Sequence, residues 1–172
     1  MYFNRIIMII KKTNFEQKFK KLYQLTTSQK LPISIEKAWD FFSDPKNLKE
    51  ITPNEMNFRI LSGADKSIFA GQIIQYKVSP ILGISLKWVT EITHVVNKKY
   101  FVDEQRFGPY SLWHHKHFFT KINGGVLMED IVDYKIPYGP LGKFAHFLFI
   151  KNKLKKIFEY RENKLIELFG NI

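Results

Sequence analysis

The residues best suited to chemistry in this 172-residue chain are written consecutively as Trp113-His114-His115-Lys116-His117. On a β-strand, where side chains alternate between faces, His115 and His117 point the same way and can reach one ion or one ligand together. A partner can be placed opposite them. Asn123-Gly124 is a strong signal for a two-residue type I′ turn, whose central residues both need positive φ. With Ile122 paired to Gly125, His117 faces Asp130, His115 faces Val132, Trp113 faces Tyr134 and Phe119 faces Met128. A slip of one residue would set Trp113 against Lys135 and Phe119 against Glu129, so apolar pairing favours the first register.

Three roles are open to such a constellation. Asp130 could join His115 and His117 around a zinc ion, but no fourth ligand is evident and neither a metal nor a cofactor is expected. Asp130 could instead orient and charge His117 for proton transfer to a polarised carbonyl ligand. The plainest role is a buried polar pair, in which the imidazole supplies the donor that a buried carboxylate requires.

These residues need a scaffold. Over residues 140–169 the apolar side chains Phe144, Phe147, Leu148, Ile150, Leu154, Ile157, Phe158, Leu165, Leu168 and Phe169 recur mostly at three- and four-residue steps between lysines. That period predicts one long terminal helix, begun by Pro140 and stopped at Gly170. Ser34 can cap a short helix with Ala38, Trp39 and Phe42 on one face, and Asp44-Pro45 can open a second carrying Leu48 and Ile51. From Met56 onward the period is two, giving strands near 58–60, 73–78, 86–92 and 100–107. With the hairpin and a first strand within 19–31, the count is about seven. Short connections make the sheet antiparallel, and the expected class is α+β.

Residues 19–172 are expected to form a single domain and residues 1–18 a poorly ordered extension. The run Ile6, Ile7, Met8, Ile9, Ile10 behind Arg5 is too short to span a bilayer, and Lys11 and Lys12 follow it with no cleavage pattern. The lack of cysteine excludes disulfides and thiolate metal sites, and a cytoplasmic setting is expected. A net charge of +11 invites anionic partners, yet only four of the 27 basic residues are arginines, so nucleic acid is not an expected one. Transient contact with a membrane surface through the basic face of the last helix stays open, as does the oligomeric state. Sixteen phenylalanines, eight tyrosines and three tryptophans suit either a bulky core or an aromatic-lined cavity.

The order of strand, two short helices, antiparallel strands and long last helix resembles the helix-grip fold of the START and Bet v 1-like superfamily. Particular stretches add to the likeness. Leu31-Pro32-Ile33-Ser34-Ile35-Glu36-Lys37-Ala38-Trp39-Asp40-Phe41-Phe42-Ser43-Asp44-Pro45 is similar to the opening of bacterial SRPBCC-type ligand-binding domains. So are Phe107-Gly108-Pro109-Tyr110 with Trp113-His114-His115, and Pro137-Tyr138-Gly139-Pro140-Leu141-Gly142 after Asp130. The resemblance covers roughly residues 23–169 and implies a cavity between the sheet and the terminal helix. Tyr76, Trp88, Ile92, Phe101, Phe107, Trp113, Phe119, Met128, Val132, Tyr134, Phe144 and Leu148 would line it. His115, His117, Asp130 and Tyr134 would orient a ligand.

The expected function is therefore binding or carriage of a hydrophobic or amphipathic small molecule, a lipid or aromatic metabolite, without turnover. Since the fold also hosts polyketide cyclases, a cyclase- or dehydratase-type enzyme using His117 and Asp130 is the alternative. A basic membrane-surface or partner-binding module is a second.

Overall fold

The computed structural model describes residues 9–13, 22–81 and 83–172. One curved antiparallel sheet holds strands β1 (Ile9–Thr13), β2 (Leu22–Leu31), β3 (Arg59–Ser62), β4 (Gln72–Ile81), β5 (Ile84–Val96), β6 (Tyr100–Phe107), β7 (Leu112–Ile122) and β8 (Gly125–Lys135). Their spatial order is β1-β2-β8-β7-β6-β5-β4-β3, so the early strand β2 pairs with the last one. Strands β2 to β8 are the seven expected from the sequence. The eighth, β1, pairs with β2 at the sheet edge, inside the stretch read as an extension. The rest of that stretch, and residues 19–21 of the expected first strand, lie outside the described residues.

The β7–β8 hairpin has the register that the turn dictates, with Ile122 opposite Gly125, His117 opposite Asp130 and Trp113 opposite Tyr134. The turn is not the expected type I′: Gly124 sits at φ +83°, a conformation that costs glycine little and a side chain more, but Asn123 is not at positive φ. Two irregularities in the β5–β6 pairing are invisible in the sequence. One extra residue, Thr93, lies between the pairs Ile92–Asp103 and His94–Val102, and another, Arg106, between Thr90–Gln105 and Val89–Phe107. Each shifts the alternation of side chains from that point on.

Between β2 and β3 lie the short helices. Helix α1 (Ile35–Phe42) starts at Ser34, whose Oγ accepts the Lys37 N–H at 3.1 Å, and it buries Ala38, Trp39 and Phe42. Asp44 caps the next turn in the same way, accepting from the Lys46 N–H at 2.9 Å, but that turn is a tight 3₁₀ helix over Pro45–Lys49. A further 3₁₀ turn, Asn54–Met56, was not expected.

The terminal helix runs from Gly139 to Phe169 but is not one uniform α-helix. Helix α2 (Gly139–Ala145) passes into a π-helical segment, His146–Ile150, and then into α3 (Lys151–Phe169). The wider turn holds an extra residue and rotates α2 out of phase with α3. His146 is thereby turned inward, where its Nε2 meets the Tyr134 hydroxyl at 2.8 Å and its ring stacks on Tyr23.

Helix α3 lays Leu154, Phe158, Arg161 and Leu165 against the sheet. The three apolar ones join two packed clusters. One gathers Leu31, Trp39, Phe42, Phe101, Phe119, Met128 and Leu165; the other gathers Leu25, Val132, Tyr134, Ile150, Leu154 and Phe158. Full burial of a side chain such as Leu165 stabilises the fold by roughly 1.5–3 kcal/mol. Among the described residues no helix is long and apolar enough to cross a membrane.

A buried charged cluster on a cavity wall

Three neighbouring strands and α3 bring five polar side chains together beneath the helix. Asp103 on β6 is paired across the sheet with His115 on β7, and His117 is paired with Asp130 on β8. Both histidines and Asp130 are buried, and Arg161 reaches them from α3. His117 Nε2 lies 2.8 Å from Asp103 Oδ2, and His115 Nε2 lies 2.9 Å from Asp130 Oδ1. His115 Nδ1 is also 3.6 Å from Asp103 Oδ2. Arg161 completes the ring of charge, its guanidinium 3.5 Å from Asp130 Oδ1. His117 Nδ1 stands 2.8 Å from the same oxygen, yet it is not aligned for a hydrogen bond, and Arg161 Nε also has no hydrogen-bond partner.

Rings hold this geometry. The His115 and His117 imidazoles lie 3.7 Å apart by centroid, and His117 stacks on Phe101 at 4.0 Å. Arg161 is placed over Phe42 and Phe158, at 5.5 and 6.0 Å from the ring centres.

Burial and charge act in opposite directions here. Burial would raise the Asp130 carboxyl, but Arg161 and both imidazoles hold it well below the usual carboxylate range. Asp103 is likewise lowered against its burial, by His115 and His117. Burial pushes His115 down, and the neighbouring charge of His117 adds to that. For His117 burial is outweighed by its hydrogen bond to Asp103 and by the neighbouring charge of Asp130, which raise it. The cluster thus sets two carboxylates against an arginine and one imidazolium.

The cluster forms one wall of a cavity of about 220 Å³. Trp88, Trp113 and, from the β6–β7 connection, Tyr110 bound it on the sheet side, Phe42, Leu48, Ile51 and Met56 from the short helices and the turn between them, and Leu154 and Phe158 from α3. Trp88 donates its indole N–H to Thr90 Oγ1 at 3.0 Å, so it is fixed within its strand. Tyr110 is fixed by Gln105, whose side chain donates to the Tyr110 carbonyl at 2.7 Å and accepts from its N–H at 3.2 Å.

Of the residues that the sequence offers as lining, Tyr76, Trp88, Ile92, Phe101, Trp113, His115 and His117 border this space. Phe119, Met128, Val132 and Tyr134 are buried in the packed clusters beside it. Asp130 lies behind the imidazoles, against Arg161. Phe107, Phe144 and Leu148 are turned to solvent, 71%, 63% and 50% exposed. The extra residue at Arg106 moves Phe107 off the inner face, and the π-helical segment does the same for Phe144 and Leu148. Asp103 and Arg161 went unassigned in the sequence. Alternation from Phe101 could have found Asp103, since it places both on one face.

An α+β sheet closed over a long helix, with a cavity between, defines the helix-grip class. No family model and no curated protein matches the sequence. Solved structures do match in shape. Protein CV1439 from Chromobacterium violaceum superposes with a TM-score of 0.66 at 12% identity, covering 87% of this chain and 99% of that one. Protein Ms6760 from Mycobacterium smegmatis gives 0.61 at 16% identity, covering 84% and 89%. The Bet v 1-like Ara h 8.0201 gives 0.56 at 15% identity, covering 85% and 99%. At these identities the likeness concerns the fold.

Proposed function

We propose that the protein binds a small amphipathic molecule, its apolar body in the cavity and its polar end against Asp103, His115 and His117. The supporting observation is the cavity itself, lined almost throughout by apolar side chains and closed at one wall by a charged cluster that balances its own charge. A dry cavity of about 150 Å³ accepts benzene, so about 220 Å³ suits an apolar ligand body of roughly nine or ten non-hydrogen atoms, with its polar end at the charged wall. That narrows the expected lipid or aromatic metabolite to a compact ring system or a single short chain. Burying about 200 Å² of apolar ligand surface would contribute about 5 kcal/mol before the costs of ordering.

Naphthalene-2-carboxylate is a suitable probe, because Trp88 and Trp113 stand at the cavity and report its arrival by quenching. Saturable binding is expected, weakened at least about tenfold by Leu48→Trp, which fills the space from the short-helix side. Folded protein that shows no saturable quenching up to millimolar probe would refute the reading. The enzymatic alternative belongs to the same wall, where a raised His117 is the group placed to donate a proton; Asp103, not Asp130, is its hydrogen-bonded partner at the cavity.

A further inference from the structure

We infer that Asp103, His115 and His117 form a binding site for a divalent first-row transition-metal ion. One donor atom from each lies within 4.8 Å of the other two. Asp103 Oδ2 is 2.8 Å from His117 Nε2 and 3.6 Å from His115 Nδ1. Ligand atoms about 2.0–2.1 Å from a four-coordinate ion stand about 3.3 Å from one another, so the two separations from Asp103 reach that value with side-chain shifts of about half an ångström or less.

The remaining ring nitrogens provide the second argument. Metal-bound imidazoles usually turn their other nitrogen to a carboxylate or carbonyl, which fixes the tautomer and aims the lone pair. Here one carboxylate stands beside both rings: Asp130 Oδ1 is hydrogen-bonded to His115 Nε2 at 2.9 Å and lies 2.8 Å from His117 Nδ1, which is not aligned for a hydrogen bond. The His115 hydrogen bond to Asp130 leaves His115 Nδ1 free to face Asp103, and a small rotation that lets His117 Nδ1 donate to the same carboxylate leaves His117 Nε2 free to do so too. Arg161 neutralises Asp130 from the helix side, so Asp130 stays an acceptor and is not drawn in as a ligand.

Asp103, His115 and His117 all border the cavity, whereas Asp130 does not. The ion would therefore keep open positions directed into the space proposed for the ligand. Two imidazoles and one carboxylate suit zinc, iron, cobalt or nickel and are poor ligands for magnesium or calcium, which prefer oxygen throughout. Two carboxylates, a doubly charged ion and Arg161 leave one net positive charge, which a carboxylate or enolate in the cavity would balance. Metal binding itself does not depend on the ligand reading.

The test is calorimetric titration of chelator-stripped protein with Zn²⁺ alone, alongside Co²⁺ absorption spectroscopy. One equivalent of Zn²⁺ is expected to bind, with visible cobalt bands of a low-coordinate nitrogen and oxygen site. Asp103→Asn and His117→Gln should each weaken binding by at least about 100-fold and Asp130→Asn by about 10–100-fold. His114→Gln should leave it unchanged, since His114 points to the other face of β7 and pairs with Glu104. Folded wild-type protein that takes up no stoichiometric Zn²⁺ overturns the proposal, as does affinity that survives both Asp103→Asn and His117→Gln. Should those variants fail to fold, the wild-type cobalt spectrum decides: bands like those of the hydrated ion refute the site.

Discussion

Arg161→Met tests whether the helix is held to the sheet by charge or by packing. The guanidinium is buried, lies 3.5 Å from Asp130 Oδ1, and covers the Phe42 and Phe158 rings. Removing one partner of a buried ion pair costs about 3–5 kcal/mol. The 3.5 Å separation and the two imidazoles still on Asp130 place this case nearer about 2–3 kcal/mol. Methionine keeps most of the apolar volume, so the packing part is limited to the cation–π contacts, roughly 0.5–1 kcal/mol each.

Acid separates the two parts. Asp130 is depressed in the folded state, so its stabilising contribution is present above the unfolded carboxylate value of about 3.9 and is lost as pH falls through its folded value. Since Arg161 is the main cause of that depression, the difference between wild type and Arg161→Met should be largest near neutrality and shrink below about pH 4. Urea unfolding with chelator present, at neutral and acid pH, measures it. Adding Asp130→Asn to Arg161→Met should recover part of the loss, because no unpaired carboxylate then remains. A deficit that is independent of pH, and equal in the single and double variants, would refute the electrostatic account.

Two further outcomes are expected. In chelator-treated protein, proton-detected NMR should show His117 titrating above and His115 below the ordinary imidazole value of about 6.5. The His117 part of the stability should be complete below about 6.5 and fade as pH rises through its folded value, a slope that His117→Gln removes; coincident titration of the two rings near 6.5 would contradict this. Gly142→Ala should destabilise by about 1–3 kcal/mol, because its Cβ would fall 1.9 Å from the Pro137 carbonyl oxygen and force the start of α2 away. An unchanged urea midpoint would show that α2 moves freely there.

Local chemistry made some of this legible in the sequence. Asn123-Gly124 set the hairpin, the hairpin set His117 opposite Asp130, and Ser34 and Asp44 marked the starts of the two turns after β2. What stayed hidden depends on departures from regular periods. A single extra residue at Arg106 turned Phe107 outward, and the extra residue of the π-helical segment broke the phase that had placed Phe144 and Leu148 with Phe158. The turn signal pairs β7 with β8 and so points to Asp130, while no short-range signal ties β6 to the other side of β7, where Asp103 supplies the carboxylate that borders the cavity. Arg161 lies 31 residues from Asp130 in sequence, and only the docked helix brings them together.

The π-helical turn has a mechanical consequence for the terminal helix. Each α-helical residue advances the chain by about 100°, so deleting one residue within 147–149 would leave α3 seated and swing α2 by about that angle. His146 would leave Tyr134, and a different set of aromatic rings would be carried around toward β8. The helix therefore has two separate angular settings, one aiming Arg161 at Asp130 and one deciding which side chains meet the solvent, and either can be reset by insertion or deletion while the other holds.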